Sequence, residues 1–233
     1  IRDSIYSLGL TFLLCLVLLA IQIPIGFLLA VFLARSFKGR SLVQTIFVLP
    51  LGIAPIAVGC IWKLLLRPEV GPIPRILSNL GIQYNYLETF PNAFIAIVVM
   101  ELWRWTPFVS LAILPAIVSI PPDILDAARV DGMNQWQIIR YIILPLSSHA
   151  IFLVTFIRLM DTFGLFDEVW VLTGGQPGWS TRVIGYQLVI KILNEFNYGE
   201  GSALTLLVLY IVVVLCWLMM VLRAKGKTGG EYT

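Results

Sequence analysis

Asp126-Ala127-Ala128-Arg129-Val130-Asp131-Gly132, followed by Trp136 and then Ile142-Ile143-Leu144-Pro145, decides how this chain is read. It lies between two very apolar segments, yet Asp123, Asp126, Arg129, Asp131 and Arg140 fall within or beside it. Ser119 and Pro121-Pro122 precede it, and a polar residue followed by proline signals a helix start. Asp123 and Asp126 put negative charge near the positive end of that helix. Ala127 and Ala128 are small enough to let another surface approach the backbone. Gly132 interrupts the helix, and Trp136, Ile138, Ile139 and Ile142 give a second helix an apolar face. The pattern predicts a short helix, a bend and a second helix lying at a membrane surface, a shape suited to docking a soluble partner. Pro145 is expected to mark the start of the next membrane segment.

Hydrophobic residues make up 59% of the 233-residue chain and charged residues 12%, about half the usual charged share. Such a chain cannot cover itself in polar groups, so it belongs in a lipid bilayer. Ser4 to Ala34 carries no charge and ends without a small-residue cleavage site, which argues against a removable secretory leader. The net charge is +3 and the basic residues are scattered, leaving no patch for nucleic acid. Cys15, Cys60 and Cys216 sit in apolar segments without metal-ligand spacing and read as packing residues.

Five membrane spans are predicted: about 5–34, 41–66, 92–119, 146–166 and 201–222. The first exceeds the ~20 residues needed to cross, and Gln22, Pro24 and Gly26 allow a kink in it. Pro50, Gly52, Pro55 and Gly59 break the second, as expected of helices that line a cavity or a packed interface. Long outer loops are expected at 67–91 and 167–199, the latter turning at Gly174-Gly175-Gln176-Pro177-Gly178. Eight basic residues (Arg35, Lys38, Arg40, Arg129, Arg140, Arg223, Lys225 and Lys227) fall in one set of short loops. Five (Arg2, Arg67, Arg75, Arg182 and Lys191) fall in the other, longer set. The basic excess marks the cytoplasmic side, which puts the 119–145 elbow and the C-terminus in the cytoplasm.

Glu101, Arg104, Arg158 and Asp161 lie inside predicted spans, where each charge costs at least about 2.5 kcal/mol. At ~1.5 Å rise per residue, Arg104 and Arg158 each sit roughly 18 Å from a span end, near the bilayer middle. Glu101 and Asp161 lie one turn further outward, so the two helices can cross-pair. Trp103, Trp105, Phe163 and Phe166 flank them. Charged groups between aromatic walls suit a sugar, whose hydroxyls take charge-assisted hydrogen bonds while its apolar ring face stacks. The same residues also suit plain salt bridges between helices.

The elbow resembles the signature of permease subunits of ABC importers: Glu-Ala-Ala, three residues, Gly, nine residues, Ile-x-Leu-Pro. The match is carried by Ala127, Ala128, Gly132, Ile142, Leu144 and Pro145 at the family spacing, with Asp126 in place of the usual Glu. Trp170-Val171-Leu172-Thr173 followed by Gly174 to Gly178 resembles the outer loop of the carbohydrate-uptake branch, the MalF-like half in particular. Trp103 to Phe108, Leu49-Pro50 and Ser119 to Pro122 suggest the same branch. This resemblance, running from about Ser4 to Leu222, implies an all-α polytopic helix bundle, one domain over 1–233, in the plasma (inner) membrane of a bacterium or archaeon. It implies that a sixth, N-terminal span precedes the five visible ones. It implies a heterodimer with a second permease subunit, two cytoplasmic ATP-binding subunits that use ATP and Mg, and an extracytoplasmic sugar-binding protein. Asp126, Ala127, Ala128, Asp131 and Gly132 are then expected to couple to the ATPase. Gly174, Gly175, Gln176 and Pro177 would touch the binding protein, and Glu101, Arg104, Arg158, Asp161, Trp103 and Phe163 would line the substrate path. No cofactor is expected on this chain itself.

Gly226-Lys227-Thr228 imitates the end of a phosphate-binding loop, but the glycine required at position 221 is Val221. His149 stands alone, and no Ser-His-Asp set or metal cluster accompanies it. Two other classes remain as alternatives: an intramembrane enzyme using Glu101, Asp161 and His149, and an ATP-independent channel or carrier. The first would show activity in the isolated chain, the second uptake without ATP.

Overall fold

The structure, a computed structural model, describes residues 2–228. The side chains of Arg2, Lys225 and Lys227, counted in the charge asymmetry, lie outside what is described. Eleven α-helices and no strand occur among the described residues. Four helical stretches are long and apolar enough to cross a membrane: Asp3–Ala34, Phe90–Val118, Gln135–Phe163 and Tyr198–Val221. They correspond to the helices α1 (Arg2–Ala34), α5 (Phe90–Val118), the run ending in α8 (Leu144–Phe163), and α11 (Tyr198–Thr228).

The predicted second span is not one rod. Helix α2 (Arg40–Val48) runs into a tight turn at Leu49–Gly52, and α3 (Pro55–Leu66) leaves at 100° to it. Pro55 has no N–H to donate and fixes its own backbone, and it disfavours helix at Ala54, so the axis must break there. The first span is unbroken: α1 continues past Pro24 to Ala34. α8 opens with Leu144-Pro145, but it continues the run from Gln135 without a break, through a widened turn at Ile139–Ile143 just before the proline. Pro145 would clash with the carbonyl four residues back, and a wider turn accommodates it. Arg158 therefore stands about 35 Å from the start of the run at Gln135 and about 21 Å from the start of α8.

The two long loops expected at 67–91 and 167–199 also contain helix. Gly71 precedes α4 (Pro72–Asn79), and the segment after Gly164 holds α9 (Asp167–Leu172) and α10 (Ile184–Val189). After α10 a second widened turn leads to Lys191, whose ammonium lies 3.0 Å from Glu200 and 3.4 Å from Glu195. The hydrogen bond to Glu200 is the chief cause holding the Lys191 pKa above its ordinary value.

Two apolar layers sandwich a polar one. Leu14, Leu18, Val58, Ala96, Met100, Val169 and Leu172 fill the outer layer. Phe27, Ala30, Val109, Ile113, Ala128, Ile138 and Val154 fill the inner one. Glycines let the helices meet. A Cβ on Gly59 would lie 2.8 Å from Val171 Cβ, and one on Gly185 would lie 2.5 Å from the Leu165 carbonyl oxygen. Backbone cannot give way as a side chain can, so Gly185→Ala is expected to cost about 1–3 kcal/mol. The midpoint of thermal unfolding in detergent checks this. Gly9→Ala, where nothing lies within 4 Å of the new methyl, should leave the midpoint in place.

Candidate functional site

The polar layer is one network joining three of the long helices. Arg158 of α8 is fully buried, and its guanidinium is shared three ways. Nε donates to Gln22 Oε1 of α1 at 3.1 Å, and one terminal nitrogen lies 3.3 Å from Glu101 Oε2 of α5. The other terminal nitrogen donates to Asp161, one turn on in the same helix. Gln22 completes the ring by donating to the Glu101 carbonyl oxygen at 2.9 Å. The predicted cross-pairing of α5 and α8 therefore exists, through Arg158 and Glu101.

Arg104 finds a different partner. It pairs with Glu168 of α9, and both side chains are buried. Trp105 lies beside both cations, with its ring centroid 4.4 Å from the Arg158 guanidinium carbon and 5.1 Å from that of Arg104, within cation–π range. One carboxylate oxygen of Glu101 and Nε of Arg104 are buried without a hydrogen-bond partner.

Four of the six residues expected on the substrate path are thus brought together, and two are not. Trp103 turns away from the network and packs edge-on against Trp62 at 6.0 Å. Phe163 is 2% exposed and lies under α1, edge to Phe12 at 5.2 Å. Its place is in the core rather than on an open wall. Asp161 is the open member, with 41% of its side chain exposed against 0–1% for Arg158 and Glu101. Sequence reasoning missed Gln22 and Glu168 as members. Gln22 is the one strongly polar side chain deep in an otherwise apolar span, which was a usable signal. Glu168 follows the Gly164 break and read as part of a loop.

In the elbow, α6 (Pro122–Val130) ends where Gly132 takes φ +81°. Gly132 N–H donates to the Arg129 carbonyl at 3.1 Å, and Met133 N–H to the Ala128 carbonyl at 3.0 Å. That pair of bonds is the Schellman helix stop, which favours glycine at the left-handed position. Asn134 then caps the next helix: its side chain accepts from Gln137 N–H at 2.9 Å, and Gln137 returns the bond to Asn134 N–H at 2.7 Å. This is a capping box with Asn in place of Ser or Thr.

Ala128 faces inward, packed in the inner apolar layer. It is therefore unavailable as a direct contact for a partner, whereas Asp126, Ala127, Asp131 and Gly132 are exposed. Val130, Trp136 and Tyr141 are exposed at 88%, 69% and 62%, a large apolar display for one short segment. Arg35 at the end of α1 donates to Gln135 Oε1 at 3.0 Å, which ties the elbow to the end of the first helix.

The glycine turn at 174–178 is held from within. Thr181 Oγ1 donates to the Gln176 carbonyl at 2.8 Å, and Tyr186 OH donates to the Gly174 carbonyl at 3.0 Å. Gly174, Gly175 and Gly178 all have positive φ. Gly175 is buried beneath the stem of Arg182, so of the four predicted contact residues Gln176 is the exposed one and Pro177 is half-buried. No cluster of three metal-ligating side chains occurs among the described residues.

The trehalose transport system permease protein SugA of Mycobacterium tuberculosis is 31% identical over 97% of this chain and 72% of its own length. The trehalose/maltose transport system permease protein MalF of Thermococcus litoralis is 32% identical over 91% and 72%. A crystal structure of a bacterial ABC transporter that imports the acidic polysaccharide alginate superposes with a TM-score of 0.88 at 26% identity, covering 97% of this chain and 80% of that one. The alginate transporter bound to its pentasaccharide-loaded periplasmic protein gives 0.84 at 26% identity, covering 92% and 76%. With residues 22–224 matching the family profile, the chain belongs to the binding-protein-dependent transport system inner membrane components, the permease subunits of ABC importers.

Proposed function

We propose that this chain is half of the path of an ATP-driven sugar importer. In this reading it pairs with a second, different permease subunit, docks two cytoplasmic ATP-binding subunits that consume ATP and Mg, and receives sugar from an extracytoplasmic binding protein. It acts as a single transmembrane domain, with its elbow at about 119–145 and its C-terminus in the cytoplasm and its outer segment at about 167–199 facing the binding protein. The chain performs no chemistry of its own. Closure of the ATPase pair moves the elbow, and the helices rock to open the path alternately to each side.

The observation that carries this reading is the pairing of two features in one chain. A layer of ion pairs lies at mid-bundle, and an exposed apolar elbow is tied by Arg35 to α1, the helix that carries Gln22 of that layer. A push at the elbow therefore has a mechanical route to the layer. Within the layer, Arg158, Glu101 and Gln22 clamp α1, α5 and α8 together, and Asp161 offers its open carboxylate to a sugar hydroxyl beside Trp105.

Reconstituted vesicles test the proposal. Uptake of trehalose or maltose is expected to require ATP, the ATP-binding subunits and the binding protein together. Uptake that persists without ATP would mean a channel or carrier instead. Asp161→Asn is expected to lower uptake about tenfold, the worth of one charge-assisted hydrogen bond, with the unfolding midpoint little changed. Unchanged uptake in that variant removes Asp161 from the path.

A further inference from the structure

A cavity of about 280 Å³ opens on the outer side of the bundle between the first turns of α1 and the segment after the glycine turn. Asp3, Tyr6, Gly178, Trp179, Arg182 and Gln187 are among its lining residues. Three observations set it apart from an ordinary surface dent. Gln187 is 4% exposed as a residue and lines the cavity, where its side-chain amide makes no hydrogen bond among the described residues. An amide left free at a cavity wall is available to a ligand that enters.

Trp179 is held at φ +68°, a left-handed conformation costly for a bulky residue, and is 58% exposed. The Arg182 guanidinium carbon lies 3.7 Å from the Trp179 ring centroid and covers one face of the ring, while Arg182 Nε is buried and unpartnered. Neither Arg182 nor Asp3 has an ion-pair partner among the described residues.

We infer that this cavity is an outward-facing subsite for one neutral glycosyl unit. It offers an aromatic platform with a free face, a carboxylate, a guanidinium and an amide, the set that takes an apolar sugar face and its hydroxyls. Asp3 and Arg182 bring opposite charges to the same space, so neither an anion nor a cation is favoured over a neutral ring. The volume falls near the lower end of small-molecule sites, about 300 Å³, which suits one ring rather than a chain of them. The subsite lies beside the turn proposed to meet the binding protein, so it would hold sugar at the start of the path. The inference rests on the sugar-importer reading and adds a site to it.

The test uses the assembled importer in lipid nanodiscs without binding protein, titrated with methyl glucoside, trehalose and glucuronate and followed by tryptophan fluorescence. Saturable binding of the neutral sugars is expected, weaker by about fivefold in Gln187→Ala, the worth of one hydrogen bond. Trp179→Gly, where glycine suits the backbone, is expected to abolish the fluorescence response. Tighter binding of glucuronate, equal affinities in both variants, or no sugar binding by a wild-type importer that transports sugar would each overturn the subsite and leave the importer reading intact. If the complete wild-type importer neither binds nor transports any of these sugars, the sugar reading itself fails and the subsite with it.

Discussion

Arg158→Met is expected to destabilise the folded bundle by about 3–5 kcal/mol, the cost of breaking a buried ion pair from one side. The reason is the number of groups that depend on this one guanidinium. Gln22, Glu101 and Asp161 all bond to it, and it is buried together with Gln22 and Glu101, the latter 1% exposed, while Asp161 stands at the open edge. Methionine fills much of the space but leaves the Glu101 carboxylate facing Gln22 and Asp161 with no cation in between. A loss of this size is a large fraction of the 5–15 kcal/mol that holds a typical domain together. Arg158→Lys should recover only part of it, because a single ammonium cannot serve three acceptors in the directions of a planar fork. The double variant Glu101→Gln with Arg158→Met removes both buried charges and should be more stable than Arg158→Met alone. Unfolding midpoints in detergent, read through a double-mutant cycle, decide the matter. If Arg158→Met unfolds at the wild-type midpoint, the layer is not a clamp and Arg158 returns to the substrate path as a free ligand.

How much of this was readable beforehand differs by element. The four charges could be found because each interrupts a long apolar run, and lipid makes such interruptions costly enough to demand partners. Which partner each takes depends on helix rotation and on what packs from elsewhere in the chain. Glu168 reaches Arg104 only because α9 folds back against α3, and no periodicity near residue 168 signals that. The elbow was legible as helix, stop and helix, since Gly132 and Asn134 act locally through backbone conformation and capping. The inward turn of Ala128 was also available, because Leu125 and Ala128 are three apart and share a face. Pro50, Gly52 and Pro55 announced a break but not its 100° angle. The short helices α4, α9 and α10 look like loop in sequence because glycine and proline punctuate their surroundings, and so few turns give little periodicity to detect.

Gly132→Asp is expected to uncouple transport while leaving the chain folded in the membrane, and here the structure sharpens what the sequence suggested. At φ +81° any side chain other than glycine is strained, but Asp and Asn tolerate that region best among the other residues. Beyond its two neighbours in sequence, no residue of the chain lies within 4 Å of where a Cβ would stand, so the new carboxylate points into space that this chain leaves empty. Any large loss must then come from what occupies that space in the assembly. Gly132→Asn separates the two effects, because it carries the same backbone strain and nearly the same bulk without the charge. For an interface residue central to docking, the charged substitution should weaken association with the ATP-binding subunits by at least ~2 kcal/mol, about thirtyfold. Co-purification of those subunits and transport-coupled ATP hydrolysis should fall together, while the unfolding midpoint of the permease stays within about 1 kcal/mol of wild type. Trp136→Ala should act in the same direction by removing an exposed aromatic anchor from the same face. Full transport by Gly132→Asp would mean that the elbow is not where the motor engages.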